Sequence, residues 1–251
     1  MIFETLDWTA LATVLATALM AGFVTGFAGF GTALVAAGLW LHVLPAAVVP
    51  PLVCIASVAG QAIGLATVRR AFRWDRAWPF LAGALPGIPL GVLALERASP
   101  ELLRAAVGGF LVVYAAAQLT GLARLRIGAW GGRPADGAVG FGGGLLGGFA
   151  GLSGPLPLIW LQLRGGTADE QRATYQPFNL LVLSTAAAAM ALAGRVDGAV
   201  LTMVAVCLPG TLAGAWLGAR SYRLVDEATF RLVVLGLLLV SGTVLIGRGL
   251  F

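Results

Sequence analysis

The chain has 251 residues, of which 59% are hydrophobic and only 11% charged; a soluble domain carries about a quarter charged residues. The net charge of +5 comes from sixteen basic residues, all arginine and all in short stretches between apolar runs. That pattern sets membrane topology and excludes a nucleic-acid groove, and the length of the runs excludes a soluble buried core.

Residues 8–68 are 61 consecutive positions without Asp, Glu, Arg or Lys. A membrane span takes roughly 20 apolar residues. The chain starts with Glu4 and Asp7 rather than the positive charge of a secretory leader, so the first apolar segment is expected to be retained. Five segments are predicted in the first half, at 8–27, 31–43, 47–68, 77–95 and 103–121. Gly29-Phe30-Gly31-Thr32 separates the first two, where glycine permits a sharp turn and Thr32 is expected to cap the next helix. Ser57 and Gln61, four apart, share one face of the third segment. Gly83, Gly87 and Gly91 give the fourth a narrow packing face, with Pro86 freeing a carbonyl.

A polar linker at 122–136 carries Arg124, Arg126, Arg133 and Pro134. Beyond it the pattern repeats, with segments at 137–150, 154–163, 173–194, 198–219 and 229–247. Gly26-Phe27-Ala28-Gly29 recurs as Gly148-Phe149-Ala150-Gly151, and Leu85-Pro86-Gly87 as Leu208-Pro209-Gly210, at offsets of 122 and 123. The expected units are therefore 1–121, the linker 122–136, and 137–251. The second break is Gly151-Leu152-Ser153-Gly154-Pro155, with Ser153 as expected cap and Pro155 in the first helical turn. Tyr175, Gln176 and Asn179 follow on the third segment. Trp8, Trp74, Trp78 and Trp130 fall near segment ends, as interfacial anchors do. Cys54 and Cys207 sit in apolar runs and are expected to be free buried thiols. No Cys/His cluster has metal spacing, and nothing calls for a cofactor.

Residues 137–163 would be about 40 Å long as helix, whereas two full crossings need about 60 Å. The pair is one broken crossing or a hairpin that enters and returns. A hairpin puts loops 69–76, 122–136, 164–172 and 220–231 on one side, with twelve Arg against four; a single crossing gives nine against seven. The positive-inside rule favours the hairpin, and two short tilted crossings share its parity. Each half then crosses an odd number of times, so the expected fold is an all-α polytopic membrane protein. It has two inverted repeats of about five helical segments each, with broken or re-entrant first helix pairs and both termini periplasmic.

A helix that starts inside a membrane presents unsatisfied N–H groups and a partial positive charge, an anion site that needs no Arg. The candidate substrate-binding residues are Gly29, Gly31, Thr32, Gly151, Ser153 and Gly154, walled by Gln61, Gln176 and Asn179. The competing reading is glycine-rich packing and interhelical hydrogen bonding. Arg172 is either an anion lure at a mouth or a loop arginine that sets topology.

The paired glycine breaks, the two Leu-Pro-Gly-x3-Gly patterns and the five-segment repeat resemble the TauE/SafE family of sulfite and organosulfonate exporters over nearly the whole length. The resemblance implies a secondary transporter of small sulfur anions such as sulfite and sulfoacetate, in a bacterial inner membrane, typically exporting. It implies no enzyme activity. One departure is the lack of Pro between Ala33 and Leu44, where many members have one. Alternatives are an importer of a related anion and a membrane assembly subunit, and a homo-oligomer remains open. Gly151-Leu152-Ser153-Gly154 also resembles the nucleophile segment of rhomboid proteases, for which His42, the only histidine, is the one candidate base.

Overall fold

Local chemistry sets several helix starts. Asp7 accepts the Ala10 N–H at 2.7 Å, Ser99 accepts the Leu102 N–H at 3.2 Å, and Thr167 and Glu170 form a reciprocal capping box. The computed structural model describes residues 7–29, 31–68, 74–121, 125–128, 130–221 and 227–250. Phe30 of the first break and Arg69, Arg70, Arg73, Arg124 and Arg223 of the sidedness count lie outside the described residues.

The described residues form ten α-helices and no strand. The first half holds α1 (Trp8–Ala28), α2 (Thr32–Val43), α3 (Val49–Val68), α4 (Trp74–Arg97) and α5 (Pro100–Leu119). The second holds α6 (Gly132–Ala150), α7 (Pro155–Arg164), α8 (Ala168–Leu192), α9 (Gly198–Ser221) and α10 (Glu227–Leu250). Six of them, α1, α4, α5, α8, α9 and α10, contain stretches long and apolar enough to cross a membrane. α6 begins five residues inside the expected linker, at Gly132, and reaches 19 residues, where the sequence had suggested 14.

The halves are interlocked rather than side by side. The closest helix pairs are α4 with α6, α1 with α9, and α5 with α10, all between halves. The glycine faces make this possible. A Cβ on Gly91 would meet the backbone at Leu145 and Phe149, and one on Gly218 the backbone at Phe23 and Phe27. Here the packing reading of the glycine ladders holds.

These contacts also give directions. From Gly83 on Gly137 to Gly91 on Phe149 the numbers climb together, so α4 and α6 are parallel. α1 and α9 are parallel likewise, from Gly210 beside Leu15 to Gly218 beside Phe27. α5 and α10 run antiparallel, with Glu101 at Gly249, Gly108 at Gly242 and Gln118 at Arg231. α3 also follows α9, since Leu52 and Ala56 face Val204 and Cys207 while Gly60 faces Thr211.

With α1 and α3 both parallel to α9, α2 must bring the chain back between them. It does so: the Thr32 amide bonds the Thr25 hydroxyl at 2.7 Å, and Trp40 Nε1 reaches the Val14 carbonyl at 3.3 Å. α7 returns along α6 in the same way, with Ser153 against Gly147, Pro157 against Gly143 and Trp160 Nε1 on Asp136 at 2.7 Å. Both first pairs are therefore hairpins, and a single broken crossing is ruled out. The returning helices have 12 and 10 residues, about 18 and 15 Å, too short for a ~30 Å core. Asp136 and Arg164 form an ion pair at 3.1 Å at the base of the second hairpin, which the apolar-run reading had not anticipated.

Candidate functional site

The two breaks meet. Gly31, Thr32, Gly151, Ser153 and Gly154 line one cavity with Ser57 and Gln61 of α3 and Asn179 of α8. Seven of the nine predicted residues are thus brought together. Gly29 and Gln176 do not line it; they sit beside it, the Gln176 amide donating to the Gly29 carbonyl at 3.2 Å. The cavity measures about 20 Å³, room for one water molecule.

The glycines work differently from the backbone donors expected. Gly29 (φ 80°) and Gly151 (φ 75°) close α1 and α6 in the left-handed conformation that glycine adopts without strain. Their amides are used in doing so, bonding Thr25 O at 2.7 Å and Gly147 O at 2.9 Å. These residues turn the chain. Gly154 makes room for the Asn179 amide: a Cβ there would lie 2.7 Å from Asn179 Oδ1 and 3.0 Å from its Cγ.

Thr32 and Ser153 are not the helix caps the sequence suggested. The caps are Gly31 and Gly154, and neither helix start has a side-chain cap bond. Thr32 is the first residue of α2, and its hydroxyl bonds that of Thr25, a partner the sequence reading did not name. Ser153 donates its proton to Asn179 Oδ1 at 2.8 Å. That bond orients the amide of Asn179 and leaves its NH2 group as a donor pair beside Gly154.

Three buried polar atoms here have no hydrogen-bond partner: Ser57 Oγ, Gln61 Oε1 and Gln176 Oε1. The residues are 1%, 3% and 2% exposed. Among the described residues only one other such atom occurs, Arg164 Nε. An orphaned buried polar atom costs about 1–3 kcal/mol, and the two amide oxygens among these are acceptors.

The remaining neighbours close one end of the site. Arg172 and the Tyr175 hydroxyl both donate to Ala28 O at 3.3 Å, at the negative end of α1. Arg172 is thereby tied to the first break, so it does more than mark a loop. His42 is elsewhere, at the far end of α2, where its Nε2 lies 3.0 Å from Ser241 Oγ. Ser153 bonds Asn179, so the protease reading has no base for its serine. Cys54 and Cys207 are free and buried, as expected. Among the described residues no His, Cys, Asp or Glu cluster has the makings of a metal site.

Comparison with known proteins agrees with the architecture. The family model described as Sulfite exporter TauE/SafE matches residues 14–245. A protein of Cupriavidus necator described as a probable sulfite/organosulfonate exporter TauE is 29% identical over 225 residues, covering 87% of this chain and 86% of its own. No solved structure matches the chain. Glycine-turned hairpins, an all-helical membrane fold and a family match over nearly the full length together lead to one assignment: this multi-pass membrane protein belongs to the TauE/SafE family of sulfite exporters.

Proposed function

We propose that the protein is a secondary carrier of small sulfur oxyanions, sulfite and short sulfonates, and that the anion binds where the two breaks meet. The observation that carries this is one buried cavity shared by both breaks, where the Ser57 hydroxyl has no partner and Ser153 holds the Asn179 Oδ1 so that its NH2 group stays a donor. The orphaned Gln61 Oε1 and Gln176 Oε1 are acceptors that suit water or a proton-bearing anion such as bisulfite. The donors are the Asn179 and Gln61 amides and the Ser57 hydroxyl; Pro155 and Pro157 leave the first turn of α7 with few N–H groups to offer. All are neutral. A neutral donor set holds an anion loosely enough to release it, as a carrier requires.

Transport is by alternating access between two inverted repeats. Antiparallel α5 and α10, with α1 running along α9 and α6 along α4, support the inversion. A 20 Å³ cavity admits one water but not the four heavy atoms of sulfite, which supports a movement of the halves to open it. The arginine-rich end faces the cytoplasm of a bacterial cell, the termini face the periplasm, and the net direction is export.

The test is flux of radiolabelled sulfite and sulfoacetate into proteoliposomes, with and without a pH gradient. Wild-type protein carries both above empty liposomes. Thr32→Val and Ser153→Val each lower flux about ten-fold, because Thr32 is bonded to Thr25 and Ser153 orients the Asn179 amide at the cavity. Unchanged flux in both variants discards the site; no flux of any sulfur anion by folded protein discards the substrate class. Flux into liposomes driven only by an inward gradient from the periplasmic face would make the carrier an importer.

A further inference from the structure

A second cavity, about 120 Å³, lies beside the first and shares Gly31 and Leu34 of the first α2 turn with it. It is bounded by the ends of α1 and α5, the start of α10 and Gln162 of α7. Its walls are mostly apolar, including Val24, Phe27 and Phe230. One edge is not. Arg231 Nη2 donates to the Gln118 carbonyl at 3.2 Å and to Gln118 Oε1 at 2.6 Å, and Gln118 Nε2 donates to Gln162 Oε1 at 2.9 Å.

That chain spends one terminal nitrogen of a five-donor fork. Among the described residues the guanidinium makes no other hydrogen bond. Arg231 is exposed at the mouth, while Gln118 is only 5% exposed, so the guanidinium is held against the cavity wall by a buried partner. A cation beside apolar walls attracts anions more strongly than one in open water. Its planar fork matches two oxygens of an oxyanion.

We infer that this cavity is a second anion subsite, an antechamber in which Arg231 captures the sulfur oxyanion before it passes the first turn of α2 to the neutral inner site. The inference rests on the transport reading above. It divides the work: a charged outer station draws the anion from water, and an uncharged inner station lets it go. The other end of α2 is anchored instead. There α2 is tied to α10 by Ser241, which donates to Gly38 O at 2.7 Å and meets His42, and by Arg248 on His42 O at 3.1 Å.

The experiment measures KM and Vmax for radiolabelled sulfite in proteoliposomes. In Arg231→Gln, KM rises about ten-fold, the worth of one charged hydrogen bond, and Vmax falls by much less. Arg231→Lys keeps the charge without the fork and recovers part of the KM. For wild type, KM rises with ionic strength, because salt screens an exposed cation; this readout stands alone if Arg231→Gln does not fold. An unchanged KM in Arg231→Gln, a fall in Vmax alone, or a wild-type KM indifferent to salt overturns the antechamber and leaves the carrier intact. Absence of wild-type sulfite flux overturns both.

Discussion

Ser153 and Asn179 show how a site residue is recognised by type but understood only by its contacts. Both are buried polar groups, and the Ser153 proton is committed to the Asn179 amide. Ser153 therefore positions Asn179, and Asn179 offers the donors. Gly154 is glycine because that amide lies on it, with an ordinary φ of −78°. Gly154→Ala is expected to leave the fold intact, since any residue adopts that backbone, yet to push the Asn179 amide aside. Flux should fall several-fold while thermal stability, read by size-exclusion chromatography after heating, stays close to wild type. A large loss of stability would show that Gly154 serves packing of the helices instead. The glycine motifs were legible at Gly29 and Gly151, where positive φ leaves little choice of residue. The sharp turn was legible too; that the Gly29 and Gly151 amides are already bonded was not, because a sequence shows that an amide exists but not where it points.

The second hairpin is pinned at its base. Asp136 accepts from Trp160 Nε1 and pairs with Arg164, whose guanidinium also donates to Gly132 O at 2.7 Å and lies 5.2 Å from the Trp160 ring centre. Asp136→Ala strands the Arg164 charge at a largely buried place. The expected cost is about 3 kcal/mol, because breaking a buried pair is far worse than never having it. A melting temperature within a degree or two of wild type would show that the pair is solvated and dispensable. The element was hidden in the sequence because Asp136 and Arg164 were read as loop charges flanking an apolar run. α6 starts at Gly132, which moves Asp136 onto a helix and beneath α7. The glycine faces are more legible: Gly83, Gly87 and Gly91 meet backbone along α6. Gly91→Leu should prevent that approach and abolish stable insertion, since overpacking a backbone contact has no side chain to yield. Normal yield and stability of the variant would contradict the close packing.

At the level of the molecule, contacts at the arginine-rich end link distant stretches: Arg76 with Glu170 at 3.7 Å, Arg172 with Ala28, Arg231 with Gln118. The proposed orientation follows from that end facing the cytoplasm. With both native cysteines buried, a single cysteine at Trp8 should react with an impermeant thiol reagent on intact cells, and one at exposed Trp130 only after lysis. The reverse pattern would invert the proposed topology.

Hydrophobic run length determined the membrane class, and recurring glycine motifs pointed to the candidate residues, because each is a local property of the chain. Direction parity was nearly determined too, since the arginine count already favoured a hairpin. Tertiary structure alone decided that the halves interlock, that both breaks open on one cavity, and that Ser57, Gln61 and Gln176 are left with unmet hydrogen bonds there. It also decided that Arg231, a loop arginine by sequence, reaches the wall of a second cavity. Those facts depend on which residues from opposite halves become neighbours. Periodicity along one strand of chain cannot encode that, because the interlocking is set by close packing between glycine faces more than a hundred positions apart, such as Gly22 on Thr211.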